Sequence, residues 1–138
     1  MVRLGPYKYG IISNIYLTLK NEKLTEEELY VKYKEFYKDK PFIRIYQPNT
    51  VPEIKDVVGT NFCDIGICNN VRTKQCIIFS VIDNIVKGAA GQAIQNMNIM
   101  LGIDEKIGLP YSYALNKKNG AAIPRGLSLI KKTLHFKI

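Results

Sequence analysis

Tryptophan is absent from this 138-residue chain, histidine occurs once, and the three cysteines are an odd number. Cys63, Cys68 and Cys76 stand at no zinc-ligand spacing and have no histidine near them. Neither a disulfide framework nor a metal site is indicated, and a reduced, cytoplasmic setting fits this cysteine usage. Long hydrophobic runs are missing too. The longest, such as Ile77-Ile78-Phe79 and Val81-Ile82, fall far short of the roughly 20 residues that cross a bilayer, so no membrane partner is expected. Gly5, Pro6, Lys8 and Gly10 interrupt any signal-like stretch in residues 1–15. Acidic residues are absent from 110–138, which hold Lys117, Lys118, Arg125, Lys131, Lys132 and Lys137. That leaves 14 basic and 12 acidic residues in 1–109, so the net charge of +8 is mostly a property of the tail. No aromatic-basic motif, helix-turn-helix or finger spacing accompanies it, and nucleic acid is not an expected partner.

What remains is the composition of one ordinary domain, 46% hydrophobic and 23% charged. A chain of this size can take roughly two-thirds of its unfolded surface out of water, enough for a core without staples. Gly10 to Lys20 alternates, with Ile11, Ile15, Leu17 and Leu19 on one side, which predicts a half-buried strand. Thr25 and Glu28 form a capping-box pair, Leu24 and Leu29 stand at the staple positions, and Glu26-Glu27-Glu28 suit the positive end of a helix. Leu29, Tyr33, Phe36 and Tyr37 make its expected buried stripe, and Pro41 ends it.

Phe42 to Tyr46 reads as a short strand before a Pro48-Asn49 turn. Residues 57–82 read as an antiparallel hairpin, Val57 to Cys68 and Gln75 to Ile82, turned by Asn69-Asn70 at positive φ. A helix is expected over 89–101, with Ala89, Ala90, Ala93, Ile94, Met97, Met100 and Leu101 on its buried side and Gly102 closing it. The order β-α-β-β-β-α predicts an α+β fold, helices on one face of a mainly antiparallel, mixed sheet. Residues 1–9 are expected to form an atypical N-terminal extension, 10–109 the domain, and 110–138 a basic, flexible tail.

The stretch most informative about chemistry runs from Ser80 to Asn98. A strand ends, Asp83 and Asn84 turn the chain, and Gly88-Ala89-Ala90-Gly91 open a helix whose backbone N–H groups can be approached closely, with Lys87 adding a charge. Two readings stand side by side: the edge of an anion or cofactor site, or small residues for tight helix-sheet packing. Neither Walker spacing nor a G-x-G-x-x-G fingerprint is present.

Gly59-Thr60-Asn61-Phe62-Cys63-Asp64-Ile65-Gly66, Ser80-Val81-Ile82-Asp83-Asn84 and Lys87-Gly88-Ala89-Ala90-Gly91-Gln92-Ala93-Ile94-Gln95-Asn96-Met97-Asn98 closely resemble the C-terminal part of the N-acetyl-gamma-glutamyl-phosphate reductases. So do Tyr33 to Tyr37, Pro41 to Arg44 and Leu101 to Leu109, which extends the likeness over about residues 10–109. The resemblance implies an NADP-dependent reductase of arginine biosynthesis that forms a cysteine thioester from an acyl phosphate and reduces it to an aldehyde. It implies a fold like glyceraldehyde-3-phosphate dehydrogenase, in which an α+β catalytic and dimerisation domain follows a Rossmann domain. By the same likeness Asn84, Lys87, Gly88 and Gln92 would lie beside the nicotinamide end of NADP.

The departures carry equal weight. The family's Pro-Gly-Cys nucleophile motif is absent, no Rossmann fingerprint exists, and the lone His135 falls outside the similar region. Cys63, Cys68 and Cys76 lie on predicted strands, with no evident base or helix N-terminus to make a thiolate, and are expected to be small buried or half-buried residues. Leu4 to Tyr9 separate Arg3 from Gly10, where the family has almost no interval. The chain therefore reads as a C-terminal portion that is inactive alone, with no catalytic residue of its own. Its expected partners are a second copy or a complementary Rossmann-domain polypeptide, with the small-molecule substrate bound only by the complete enzyme. The alternative is a non-enzymatic dimerisation or interaction module.

Overall fold

Eight paired positions, Ile11 with Ile82 through Thr18 with Gln75, hold β2 (Ile11–Thr18) antiparallel to β5 (Gln75–Ile82). A computed structural model describes residues 2–3, 8–21, 23–70 and 72–110 of the chain. Of the expected tail 110–138, residues 111–138 with His135 lie outside the described residues, as do residues 1 and 4–7 of the expected extension. β5 pairs equally fully with β4 (Cys63–Asn70), β3 (Ile43–Ile45) adds to β4 in parallel, and β1 (Val2–Arg3) adds to β2, giving the order β1-β2-β5-β4-β3. The result is the expected α+β architecture on a mixed, mainly antiparallel sheet.

The two-residue period puts Cys63, Ile65 and Ile67 on one face with Cys76, Ile78 and Ile82 of β5. Helix α1 (Glu26–Phe36) lies on that face, where Leu29, Ile65, Ile67, Cys76 and Ile78 form the buried cluster, flanked by Tyr33, Tyr37, Ile43 and Ile45. Its start matches the sequence reading: Thr25 accepts from the Glu28 N–H, and Glu28 accepts from the Thr25 N–H. The stripe is narrower than expected, because Phe36 is 77% exposed, its ring meeting that of Tyr37 edge-on. Ile15 and Leu17 of β2 point to the same face but stay exposed, since α1 contacts β4 and β3.

On the opposite face, segment 46–62 folds back over β4 and buries Pro52, Val57 and Phe62. The expected extended stretch from Val57 starts here as turn and bend, residues 57–61, directly after a 3-10 turn at Ile54–Asp56; extended structure begins at Cys63. The hairpin turn also differs. Asn69 and Asn70 remain in β4, Lys74 takes the positive φ of 58°, and the Asn70 side chain accepts from the Arg72 and Thr73 N–H groups. The turn is thus made by an asparagine side chain rather than by an asparagine backbone.

The largest correction concerns the last helix. A π-helical turn, Val86–Ala90, precedes α2 (Gly91–Met100), which closes at Gly102 with φ 68°. Its buried residues are Gly91, Gln95 and Asn98, while Met97, Met100 and Leu101 are exposed, Met100 by 85%. Ala89, Ala90 and Ala93 are exposed as well, and Ile94 is half-buried. The helix is wrapped by its own following segment, whose carbonyls at Glu105 and Ile107 accept from the Asn98 amide. Hydrogen bonding to that backbone selects the amide side as the inner one.

Candidate functional site

Beyond the end of β5, Asp83 does the local construction. Its buried carboxylate accepts from the Ile85, Val86 and Gly59 N–H groups at 2.7, 3.0 and 2.8 Å, and its carbonyl accepts from Gly88 at 2.8 Å. A carboxylate filling the first N–H groups of a helical turn satisfies donors that would otherwise be orphaned. Asn84 then ties this corner to the start of β2, its Oδ1 accepting from the Gly10 N–H at 2.7 Å.

Lys87 leaves the π turn half-buried. Its Nζ donates to Gln95 Oε1 at 2.6 Å and lies 5.6 Å from the centroid of the Phe42 ring. Burial holds its pKa below the ordinary lysine value, partly offset by the nearby Cys63 and Glu105. Gly88 is exposed, and a Cβ there would make ordinary contact with the Asp83 carbonyl at 3.4 Å and Ile82 at 3.5 Å. Gln92 points along the helix surface and donates to Asn96 at 2.8 Å. The four residues singled out in the sequence therefore share one corner without bonding one another: Asn84 turns to β2, Lys87 inward to Gln95, and Gln92 along α2.

Cys63 shares this corner. Its Sγ lies 3.4 Å from Ser80 Oγ, and burial raises its pKa more than Ser80 and Lys87 lower it. It is therefore a thiol rather than a ready nucleophile. Cys76 is buried with its pKa raised by burial, while Cys68 is exposed, contrary to expectation, because it faces the part of the sheet that segment 46–62 leaves open. Among the described residues no group of three His, Cys, Asp or Glu side chains could hold a metal ion. No described helix is long and apolar enough to cross a membrane.

Two constellations escaped the sequence reading. Fully buried Asn61 donates to Gln95 Oε1 at 3.0 Å, and Gln95 Nε2 donates to Glu105 Oε2 at 2.7 Å, so the amides of 59–66 and of α2 form one chain with Lys87. On the other face Arg44 grips buried Asp64 with two bonds of 2.6 and 2.7 Å, also donates to the Asp56 carbonyl, and lies 4.3 Å from the centroid of the Phe62 ring. The Tyr46 hydroxyl lies within hydrogen-bond distance of both Asp56 and Asp64. A signal for the second existed: an aspartate inside Cys63-Asp64-Ile65-Gly66-Ile67 must be paired if the strand is buried, and Arg44 stands in the adjacent predicted strand.

At this corner Gly88 offers an exposed glycine edge, and the Asn84 amide nitrogen has no hydrogen-bond partner among the described residues. Nothing among the described residues forms a cradle for the diphosphate.

Residues 1–84 match the family model described as semialdehyde dehydrogenase, dimerisation domain. The N-acetyl-gamma-glutamyl-phosphate reductase of Caldicellulosiruptor saccharolyticus is 54% identical over 106 residues, covering 77% of this chain and 30% of that protein. That of Dictyoglomus thermophilum is 50% identical over 109 residues, covering 79% and 32%. The chain thus spans about 30% of the length of these curated relatives. Aspartate semialdehyde dehydrogenase II from Vibrio cholerae shares the fold at a TM-score of 0.51 and 18% identity, over 68% of this chain and 28% of that one. With the family model covering more than half of the residues, the chain belongs to the semialdehyde dehydrogenase dimerisation-domain family.

Proposed function

We propose that this chain is the C-terminal portion of a cytoplasmic, NADP-dependent N-acetyl-gamma-glutamyl-phosphate reductase of arginine biosynthesis. In this reading residues 10–109 form its reductase domain. It acts only beside a polypeptide carrying the nucleotide-binding domain and the nucleophilic cysteine. The observation that carries the reading is the reversed α2: amides inward on Asn61 and Glu105, and Met97, Met100, Leu101 and Ile103 outward. An exposed apolar helix face of this kind marks an interaction surface.

In that assembly the bound NADPH supplies a hydride. The residues here contribute the wall. Asn84 presents an amide nitrogen while its oxygen is held by Gly10, and Gly88 lets a flat ring approach the backbone. Lys87 places a cation at the same corner, and Gln92 lies on the same helix surface. Cys63 takes no covalent part in this reading, since burial holds its pKa above the ordinary thiol value.

The test is complementation. The purified chain alone gives no NADPH-linked reduction of N-acetylglutamyl phosphate, and mixing with the missing N-terminal portion restores it. Turnover by the chain alone, or failure of the two to associate, overturns the reading. The second reading, a dimerisation module without activity, is favoured by Ile15, Tyr16 and Leu17, all exposed on β2. A concentration-dependent dimer together with failed complementation would select it.

A further inference from the structure

Gln95 is buried, yet its amide meets charge at both ends. Its Oε1 accepts from Lys87 Nζ at 2.6 Å and from Asn61 Nδ2 at 3.0 Å, while its Nε2 donates to Glu105 Oε2 at 2.7 Å. Turning the amide over would set an NH2 against an ammonium and a second NH2, and an oxygen against a carboxylate. The orientation is therefore locked by its neighbours. Glu105 is itself placed, because Asn98 holds the carbonyls of Glu105 and Ile107, and Asn61 donates its backbone N–H to the Pro110 carbonyl.

Lys87 is the group this chain serves. A lysine side chain is long and flexible, and a half-buried ammonium gains by swinging out to water unless an acceptor holds it. No ion pair joins it to a carboxylate among the described residues, and the acceptor that holds it is Gln95 Oε1. The groups facing it are the Phe42 ring before β3, the Cys63 thiol of β4, and Glu105 of the segment after α2. Asp64, next to Cys63, points to the other face of the sheet and pairs with Arg44.

We propose that Gln95 is the positioning residue of this corner: its locked amide keeps the Lys87 ammonium over Phe42 and beside Cys63 instead of in solvent. Glu105 acts through the amide rather than by pairing with the lysine. The inference rests on reading Lys87 as a site residue, but it concerns where the ammonium is held and not whether the assembled enzyme turns over.

The test uses the full chain, isotopically labelled, with the Lys87 methylene resonances assigned by loss in Lys87→Met. In the unaltered chain those resonances are shifted by the Phe42 ring current and titrate below the ordinary lysine midpoint. Gln95→Leu removes the shift and raises the midpoint toward that of an ordinary solvated lysine. Gln95→Glu, which keeps an oxygen for Lys87, retains the shift. Dispersion of the β4–β5 amide resonances confirms folding. Should Gln95→Leu fail that check, Glu105→Ala frees the amide to rotate and reduces the shift. A Lys87 resonance unmoved in folded Gln95→Leu, or unmoved in Glu105→Ala, overturns the proposal. Failed complementation with an N-terminal portion would leave these outcomes untouched, so the two readings fail separately.

Discussion

Asn61 Oδ1 faces Gly91 so closely that a Cβ at Gly91 would overlap it and would crowd the Val86 carbonyl as well. Gly91 has ordinary helical φ and ψ of −64° and −40°, so alanine there would favour a free helix by about 1 kcal/mol. Packing reverses the sign. Gly91→Ala is expected to destabilise the chain by about 1–3 kcal/mol, the usual cost of overfilling a close contact. Urea denaturation checks it, and a midpoint at or above that of the unaltered chain would show that Asn61 yields freely.

Arg44 and Asp64 illustrate what sequence patterns carry and what they leave out. Both residues were visible on adjacent strands, and the parallel register Arg44 with Asp64 makes them neighbours. The α1 capping box and the antiparallel pairing within residues 57–82 were legible, because each rests on local period or local turn chemistry; the pairings of β2 with β5 and of β3 with β4 join distant segments and were not. The side of α2 that faces inward was not. A helix bearing Met97, Met100 and Leu101 on one side and Gln95 and Asn98 on another satisfies either orientation until tertiary partners are known. Here the partners are backbone carbonyls of the helix's own continuation, a pairing no helical period encodes. Segment 57–62 misled for a similar reason: its apolar residues are buried by a folded-back turn rather than by a strand.

The Arg44–Asp64 pair yields a stability prediction. Arg44→Leu strands a buried carboxylate and is expected to cost about 3–5 kcal/mol, whereas adding Asp64→Asn recovers most of that loss. Burial already raises the Asp64 pKa, opposed chiefly by Arg44. Without Arg44 it rises further, so the folded form binds more protons than the unfolded chain at mildly acidic pH. The single variant therefore gains stability on acidification through that window, and the double variant does not. Denaturant midpoints measured at several pH values decide between them.

Lys87 gives the opposite dependence. Its folded-state pKa is lowered, so between that value and the ordinary lysine value the unfolded chain binds more protons, and stability rises with pH. The raised pKa values of Cys63, Cys76, Tyr33 and Tyr46 pull the other way in alkali. The readout is therefore a difference. Subtracting the curve of Lys87→Met from that of the unaltered chain leaves a contribution that becomes more favourable as pH rises toward the lysine range. A flat difference would mean that the ammonium is already solvated.

The outer face of α2 supplies the last prediction. Met97 and Met100 lie on the solvent side, Met100 almost fully exposed, and Leu101 and Ile103 extend the patch. The buried residues of α2 are Gly91, Gln95 and Asn98. The double change Met97→Glu, Met100→Glu is accordingly expected to shift the unfolding free energy of the isolated chain by no more than about 0.5 kcal/mol, as surface substitutions do. In the proposed assembly its effect falls on docking. Two carboxylates placed in an apolar contact must be desolvated without partners, so affinity for the nucleotide-binding polypeptide should fall at least tenfold, about 1.4 kcal/mol. Sedimentation or calorimetric titration of the two polypeptides measures this. Unchanged association would move the docking surface elsewhere, to the exposed β2 residues Ile15 and Leu17, whereas weakened association with an unaltered denaturation curve separates the docking role of α2 from its folding role.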